Sequence, residues 1–147
     1  MRLKMMKYKE YDFPDDLYYT DRHLWVKKES DGTITIGFND LAQKLIGKVM
    51  FVRLPKKGAV LEAGKEFGTV ESVKWVERLK APVSGVVKDV NASLRTNPKL
   101  VNQEPYNAWF IKVEPTEKLE EELSKLIHGE KLAEWIKKEV EEKTKGK

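Results

Sequence analysis

Lys74 stands between Val73 and Trp75 in the stretch FGTVESVKWVERLKAPVSGVV, residues 67–87. A primary amine has one chemistry that needs no other residue. It can be acylated, which turns a charged ammonium into a neutral amide and hangs an arm on the chain. Most lysines in so basic a chain are simply solvated, so position must decide. Phe67 to Val73 and Trp75 to Lys80 alternate as two strands, and the Pro82–Gly85 turn follows. Lys74 then falls near the tip of a hairpin, where a modifying enzyme can reach it. Other chemistries have little to work with. The chain has no cysteine, which removes disulfides, thiolate ligands and thiol nucleophiles together. Any sulfur redox chemistry must come from a cofactor. His23 and His128 lie far apart without HExxH-type spacing, so no metal site is expected.

The elements that would carry this hairpin are short. Residues 1–17 read as an extended lead-in, with Tyr8, Tyr11 and Phe13 as its ordering residues. Residues 22–28 and 33–37 alternate as strands around an Asp31-Gly32 hairpin signal. A short helix follows, with Asn39 as N-cap, Leu41, Ala42, Leu45 and Ile46 on one face, and Gly47 as C-cap. Further strands are expected at 49–54, 59–61, 67–73, 75–80, 83–90 and 108–113, with a polar loop over 91–105. Gly68 and Gly85 mark tight backbone geometry. Strands this short, broken by frequent turns, indicate a small barrel or sandwich. After Pro115 the period changes. Leu119, Leu123, Leu126 and Ile127, then Leu132, Trp135, Ile136 and Val140, recur at helical spacing, and Gly129 breaks the run. His128 reads as the last residue of the first of these helices. The terminal EEKTKGK is expected to fray.

Composition sets limits. The 147 residues are enough for one domain with a real core. Charged residues make up 35% of the chain, mostly Lys and Glu, a usage common in heat-adapted proteins. The net charge is +4, but lysines and glutamates interleave throughout. No basic stripe with stacking aromatics appears, so no nucleic-acid partner is expected. No apolar run approaches a membrane span, and the basic N-terminus lacks the apolar core of a signal peptide. The expected setting is the cytoplasm.

The motifs around Lys74 add a resemblance. Gly68-Thr69-Val70-Glu71-Ser72-Val73-Lys74, with Ala81-Pro82-Val83-Ser84-Gly85 downstream, resembles the lipoyl-attachment hairpin of the glycine cleavage system H protein family. Tyr19-Thr20, His23-x-Trp25-Val26, Ala42-Gln43, Phe51-Val52, Leu54-Pro55, Asn97-Pro98, Leu100-Val101-Asn102, Pro105-Tyr106 and Trp109 resemble its other segments, in order. The resemblance covers about residues 17–136, leaving an N-terminal extension (1–16) and a charged tail (137–147). It implies a mainly β fold, a flattened antiparallel barrel of the biotinyl/lipoyl-carrier type (a barrel-sandwich hybrid), with short helices and a C-terminal helix. It implies lipoate in amide linkage to Lys74, within a site of Glu71, Ser72, Val73 and Trp75. His23 is either a structural strand histidine or a residue that positions the end of the arm. Such a protein is a carrier without catalytic activity, usually a monomer. Its arm shuttles an aminomethyl group between glycine decarboxylase and aminomethyltransferase, and dihydrolipoamide dehydrogenase and a lipoate-attaching enzyme complete its partners. Biotin carriers usually flank the lysine with methionines, and 2-oxoacid dehydrogenase lipoyl domains usually place Asp before it. Neither pattern is present here.

Four positions depart from the family pattern. Leu24, Lys48, Arg53 and Arg78 stand where it carries acids, and restoring all four would turn the net charge negative. Leu24 and Arg78 are expected near the end of a loaded arm, where a carboxylate would accept charge-assisted hydrogen bonds from an ammonium cargo. Their replacement opens a second reading, an H-protein-like lipoate carrier of a heterodisulfide-reductase-like sulfur-oxidation system. A third is a non-lipoylated structural or regulatory relative, against which the intact Glu71-Ser72-Val73-Lys74 speaks.

Overall fold

In the computed structural model, which describes residues 5–145, two antiparallel sheets face each other across one apolar core. The strands are β1 (Met5–Tyr8), β2 (Tyr11–Pro14), β3 (Tyr18–Tyr19), β4 (Leu24–Lys28), β5 (Ile34–Phe38), β6 (Val49–Arg53), β7 (Val60–Leu61), β8 (Glu66–Ser72), β9 (Val76–Lys80), β10 (Gly85–Val90) and β11 (Ile111–Pro115). The helices are α1 (Asp40–Ile46), α2 (Ser93–Thr96), α3 (Leu100–Gln103), α4 (Leu119–Ser124) and α5 (Leu132–Lys143). The larger sheet runs β3-β4-β5-β11-β10-β7 and the smaller β6-β8-β9. The sheets do not close into a barrel. Their inner faces meet as a barrel-like sandwich, with Val26, Ile36, Val87 and Val113 from one and Val70 and Leu79 from the other.

Close backbone approach explains two glycines. A Cβ at Gly68 would stand 2.3 Å from the Arg53 carbonyl oxygen on β6, and one at Gly85 2.2 Å from that of Glu114 on β11. A side chain at either would push neighbouring strands apart. Gly37 makes room for the Trp25 ring, whose Nε1–H donates to the Pro105 carbonyl at 2.9 Å.

The extended lead-in folds back on itself as a β-hairpin. β1 pairs with β2, and Tyr11 and Phe13 are buried in a second apolar cluster with Tyr19, Leu41, Leu132, Ile136 and Val140. The apolar stripe of α5 docks here, between the hairpin and α1. The boundary drawn at residue 136 therefore falls inside α5. Residues 146 and 147 of the expected fraying tail lie outside the described residues.

Three further readings are corrected. The polar loop over 91–105 contains α2 and α3, which bury Leu94 and Val101. The strand expected at 108–113 runs over Ile111–Pro115 instead, with Phe110 leading into it: its N–H donates to the Ile36 carbonyl at 2.7 Å and its carbonyl accepts from Asn91 N–H at 3.0 Å. His128 does not end a helix. α4 stops at Ser124, and His128 is extended, stacked on Tyr18 at 4.0 Å beside the Tyr19–Ile127 bridge.

Candidate functional site

Lys74 lies in the loop between β8 and β9. Ser72 N–H donates to the Trp75 carbonyl at 2.8 Å, leaving Val73 and Lys74 as the loop itself. Neither has a positive φ, so this is not one of the tight turns that glycine favours. Ser72 compensates: its Oγ accepts the Trp75 N–H at 3.1 Å. Val73 is 81% exposed and Trp75 60%. Lys74 is exposed and makes no ion pair among the described residues.

The neighbouring frame is α1. Asn39 Oδ1 caps its first turn from Ala42 N–H at 2.8 Å, and Gly47 ends it with φ +83°. Asn102 fixes that end, accepting from Val49 N–H and donating to the Gly47 carbonyl, both at 2.8 Å. The Lys74 side chain passes over Gly47, its Cε 3.6 Å from where a Cβ there would stand.

Beside the tip opens a cleft of about 790 Å³. Ala42, Leu45 and Ile46 of α1 give it an apolar wall. Trp75 and Glu77 come from the hairpin, Asp21 and His23 from the turn before β4, and Lys143 from the end of α5. Glu77 accepts from Trp75 Nε1–H at 3.3 Å and lies 3.6 Å from Arg22. The carboxylate thus orients the indole on the cleft wall.

His23 occupies the floor in an unusual state. It is 7% exposed, with φ +69°. Asn39 Nδ2 stands 3.4 Å from its Nδ1, an arrangement that puts the proton of the neutral ring on Nε2. Nε2 lies 3.0 Å from Glu139 Oε1 of α5 but outside hydrogen-bond geometry, so it is buried without a partner. Burial pushes His23 down to about 4, helped by Lys143. Burial raises Glu139 above the ordinary glutamate value. Asp21 opposes the fall of His23, but desolvation prevails and favours the neutral imidazole.

Of the residues singled out in the sequence, Lys74, Val73 and Trp75 meet at the tip, and Ser72 shapes it. Trp75 and His23 line the same cleft. Glu71 does not line it. It faces the outer side of the small sheet, bound by Arg53 Nε at 2.6 Å. Asp21, Glu77 and Lys143 are additions to the cleft, and Glu139 faces His23 from α5. Glu77 was in reach of sequence reasoning, because it shares a strand face with the core residue Leu79. Glu139 and Lys143 were not, because only the docking of α5 brings them here.

The expected loss of carboxylates near the arm is overturned. Leu24 is 1% exposed, in the core between the sheets. Arg78 is absent from the cleft lining; it alternates onto the outer face and pairs with Glu66 at 3.4 Å. The cleft keeps Asp21 and Glu77.

The profile of the family "Glycine cleavage H-protein" matches residues 17–139. The chain belongs to this family. It is 44% identical over 133 residues to the "Probable glycine cleavage system H protein" of Pyrococcus furiosus, covering 90% of this chain and 98% of that one. It is 46% identical over 122 residues to the "Glycine cleavage system H protein" of Mycobacterium avium, covering 81% and 92%. The crystal structure of a glycine cleavage system H protein from Mycobacterium marinum superposes with a TM-score of 0.72 at 31% identity, covering 87% of this chain and 99% of that one. Among the described residues, no helix is long and apolar enough to cross a membrane.

Proposed function

We propose that Lys74 carries lipoate in amide linkage and that the protein is the carrier of a glycine cleavage system. The observation that carries this reading is the exposed amine at the tip of the β8–β9 hairpin, without an ion pair among the described residues, in a member of the H-protein family. The residues present suit the group. Acylation of Lys74 breaks no ion pair among the described residues, Gly47 offers no side chain to obstruct the arm, and an apolar-walled cleft opens beside it.

The bound lipoyl group would supply the pair of sulfurs that accept an aminomethyl unit and pass it on. The chain's own residues bind and shield. Leu45, Ile46 and Trp75 give an apolar arm a surface to lie on, and Glu77 holds the indole in place. Asp21 and Glu77 can accept hydrogen bonds from an amine. His23, neutral near pH 7, adds no repelling charge. The implied partners are glycine decarboxylase, aminomethyltransferase, dihydrolipoamide dehydrogenase and a lipoate-attaching enzyme. The sulfur-carrier reading rested on Leu24 and Arg78, and that support has gone.

The test is glycine–bicarbonate exchange with glycine decarboxylase and the protein after treatment with lipoate ligase, ATP and lipoate. Exchange is expected for wild type, with a lipoyl adduct on the peptide containing Lys74, and none for Lys74→Arg. An adduct on another lysine, or exchange retained by Lys74→Arg, overturns the reading.

A further inference from the structure

The outer surface next to Lys74 has a composition that carrying an arm does not require. Five of the eight large apolar side chains exposed among the described residues, Met50, Phe51, Val73, Trp75 and Val76, gather at one end of the small sheet. Strand register puts Phe51, Glu71 and Val76 in one row across its outer face, one step from the tip. Exposed clusters of this kind mark sites of association.

Charge around this seat is one-sided. A hollow of about 440 Å³ beside Gly47 is lined by Lys48 and Lys99, and by Lys44, which Asp40 holds at 3.1 Å from outside the lining. A groove of about 390 Å³ along β6 is lined by Phe51, Arg53 and Arg95, with no acid. The face itself carries Glu66 and Glu71, but Arg78 and Arg53 hold them. Lys48, Lys74 and Lys99 remain as cations without acidic partners among the described residues. The tip thus lies between an apolar seat and an unneutralised basic flank.

We propose that this surface is where the enzyme that acylates Lys74 docks, and that this enzyme meets it with an apolar patch rimmed by carboxylates. The inference rests on the reading of Lys74 as an acylated residue. The occupant follows from geometry. An enzyme acting on the far end of an arm can stay away from the hairpin. An enzyme that forms the amide must bring its reacting group to Lys74 Nζ, and so must cover Val73 and the rows beside it. Complementary charge speeds such encounters and selects the right lysine among many. The apolar seat supplies the short-range contact.

The experiment measures lipoylation by the lipoate ligase of the same organism, with ATP and lipoate, at several salt concentrations. Two double variants alter exposed residues only: Lys48→Glu with Lys99→Glu, and Phe51→Ser with Val76→Thr. Each is expected to lower kcat/KM at least tenfold, mainly through KM, with the melting temperature little changed. Rising salt should slow wild type, and the lysine variant should lose that dependence. Values within twofold of wild type for both variants overturn the proposal. So does a concentration-dependent dimer in sedimentation that Phe51→Ser dissolves, because the seat would then be a self-contact. Wild type left unacylated at Lys74 overturns instead the reading on which the proposal rests.

Discussion

His23 Nε2 and Glu139 Oε1 face each other at 3.0 Å, joining the turn before β4, which lines the cleft, to the last turns of α5. His23 is buried and Glu139 half-buried, and the shift of each makes stability depend on pH. Asp21 and Lys143 complete the charged surroundings, and Trp135 packs 5.5 Å from the imidazole.

The sign of that dependence follows from His23. Its value falls from 6.5 unfolded to about 4 folded, because burial disfavours the cation. Below pH 6.5 the unfolded chain binds a proton that the folded chain refuses. Stability is therefore full above 6.5 and is lost as pH falls towards 4, by at most about 3 kcal/mol. Glu139 acts oppositely: its raised value means stability is lost as pH rises through it. Other carboxylates titrate in the same range, so the contrast between variants is the measurement. His23→Asn suits the left-handed backbone. Chemical denaturation from pH 7 to 4 should show a shallower fall for it than for wild type.

Phe13 ties the N-terminal hairpin to the rest. It is fully buried, edge-on to Tyr19 at 5.7 Å and Trp135 at 6.3 Å. Phe13→Ala should cost about 3–5 kcal/mol. The loss should be global, because the same cluster holds α5 and α1. A hairpin that was merely appended would melt separately and leave the main transition unmoved. Urea denaturation followed by both far-UV circular dichroism and tryptophan fluorescence distinguishes the two.

What was legible in the sequence was what local rules govern. The Asn39 and Gly47 caps, the Asp31-Gly32 turn and the strand alternation each report on nearest neighbours, and the hairpin tip at Lys74 follows from the last of them. What was missed depends on contacts distant in sequence. Tyr11 and Phe13 stood out as ordering residues, but residues 5–14 lack a long periodic run, and neither their pairing nor the return of α5 over them was visible locally. His128 continues a helical spacing, but pairing of Ile127 with Tyr19 wins over helix propagation. Leu24 and Arg78 were grouped because both depart from a family pattern. Register sends one inward and the other outward.

That separation gives a direct contrast. Leu24→Glu would bury a carboxylate among Val26, Ile36 and Phe110 with no cation in place, and should cost about 3–5 kcal/mol or prevent folding. Arg78→Asp alters an exposed, weakly paired position. It should change stability by less than about 1 kcal/mol. Thermal melts of the two single variants check this. With the cleft carboxylates untouched, lipoylated Arg78→Asp should support glycine–bicarbonate exchange about as well as wild type.

Ser72 provides the finest test of the tip. Its Oγ accepts the Trp75 N–H in a loop that has neither glycine nor positive φ to close it. Ser72→Ala removes that acceptor. The N–H is near solvent, so water takes over part of the bond and the cost should be only about 1 kcal/mol. The loss is local, because Val49 on β6 still pairs with residue 72 through backbone alone. Exchange of the Trp75 amide should quicken roughly fivefold, the factor that about 1 kcal/mol implies. Lys74 is then presented from a looser loop, and kcat/KM for its lipoylation should fall by a similar factor. Ser72→Thr keeps the oxygen and should restore both quantities. Hydrogen exchange read at Trp75 beside lipoylation kinetics measures the pair. Faster exchange with unchanged lipoylation would show that the enzyme itself orders the loop on binding.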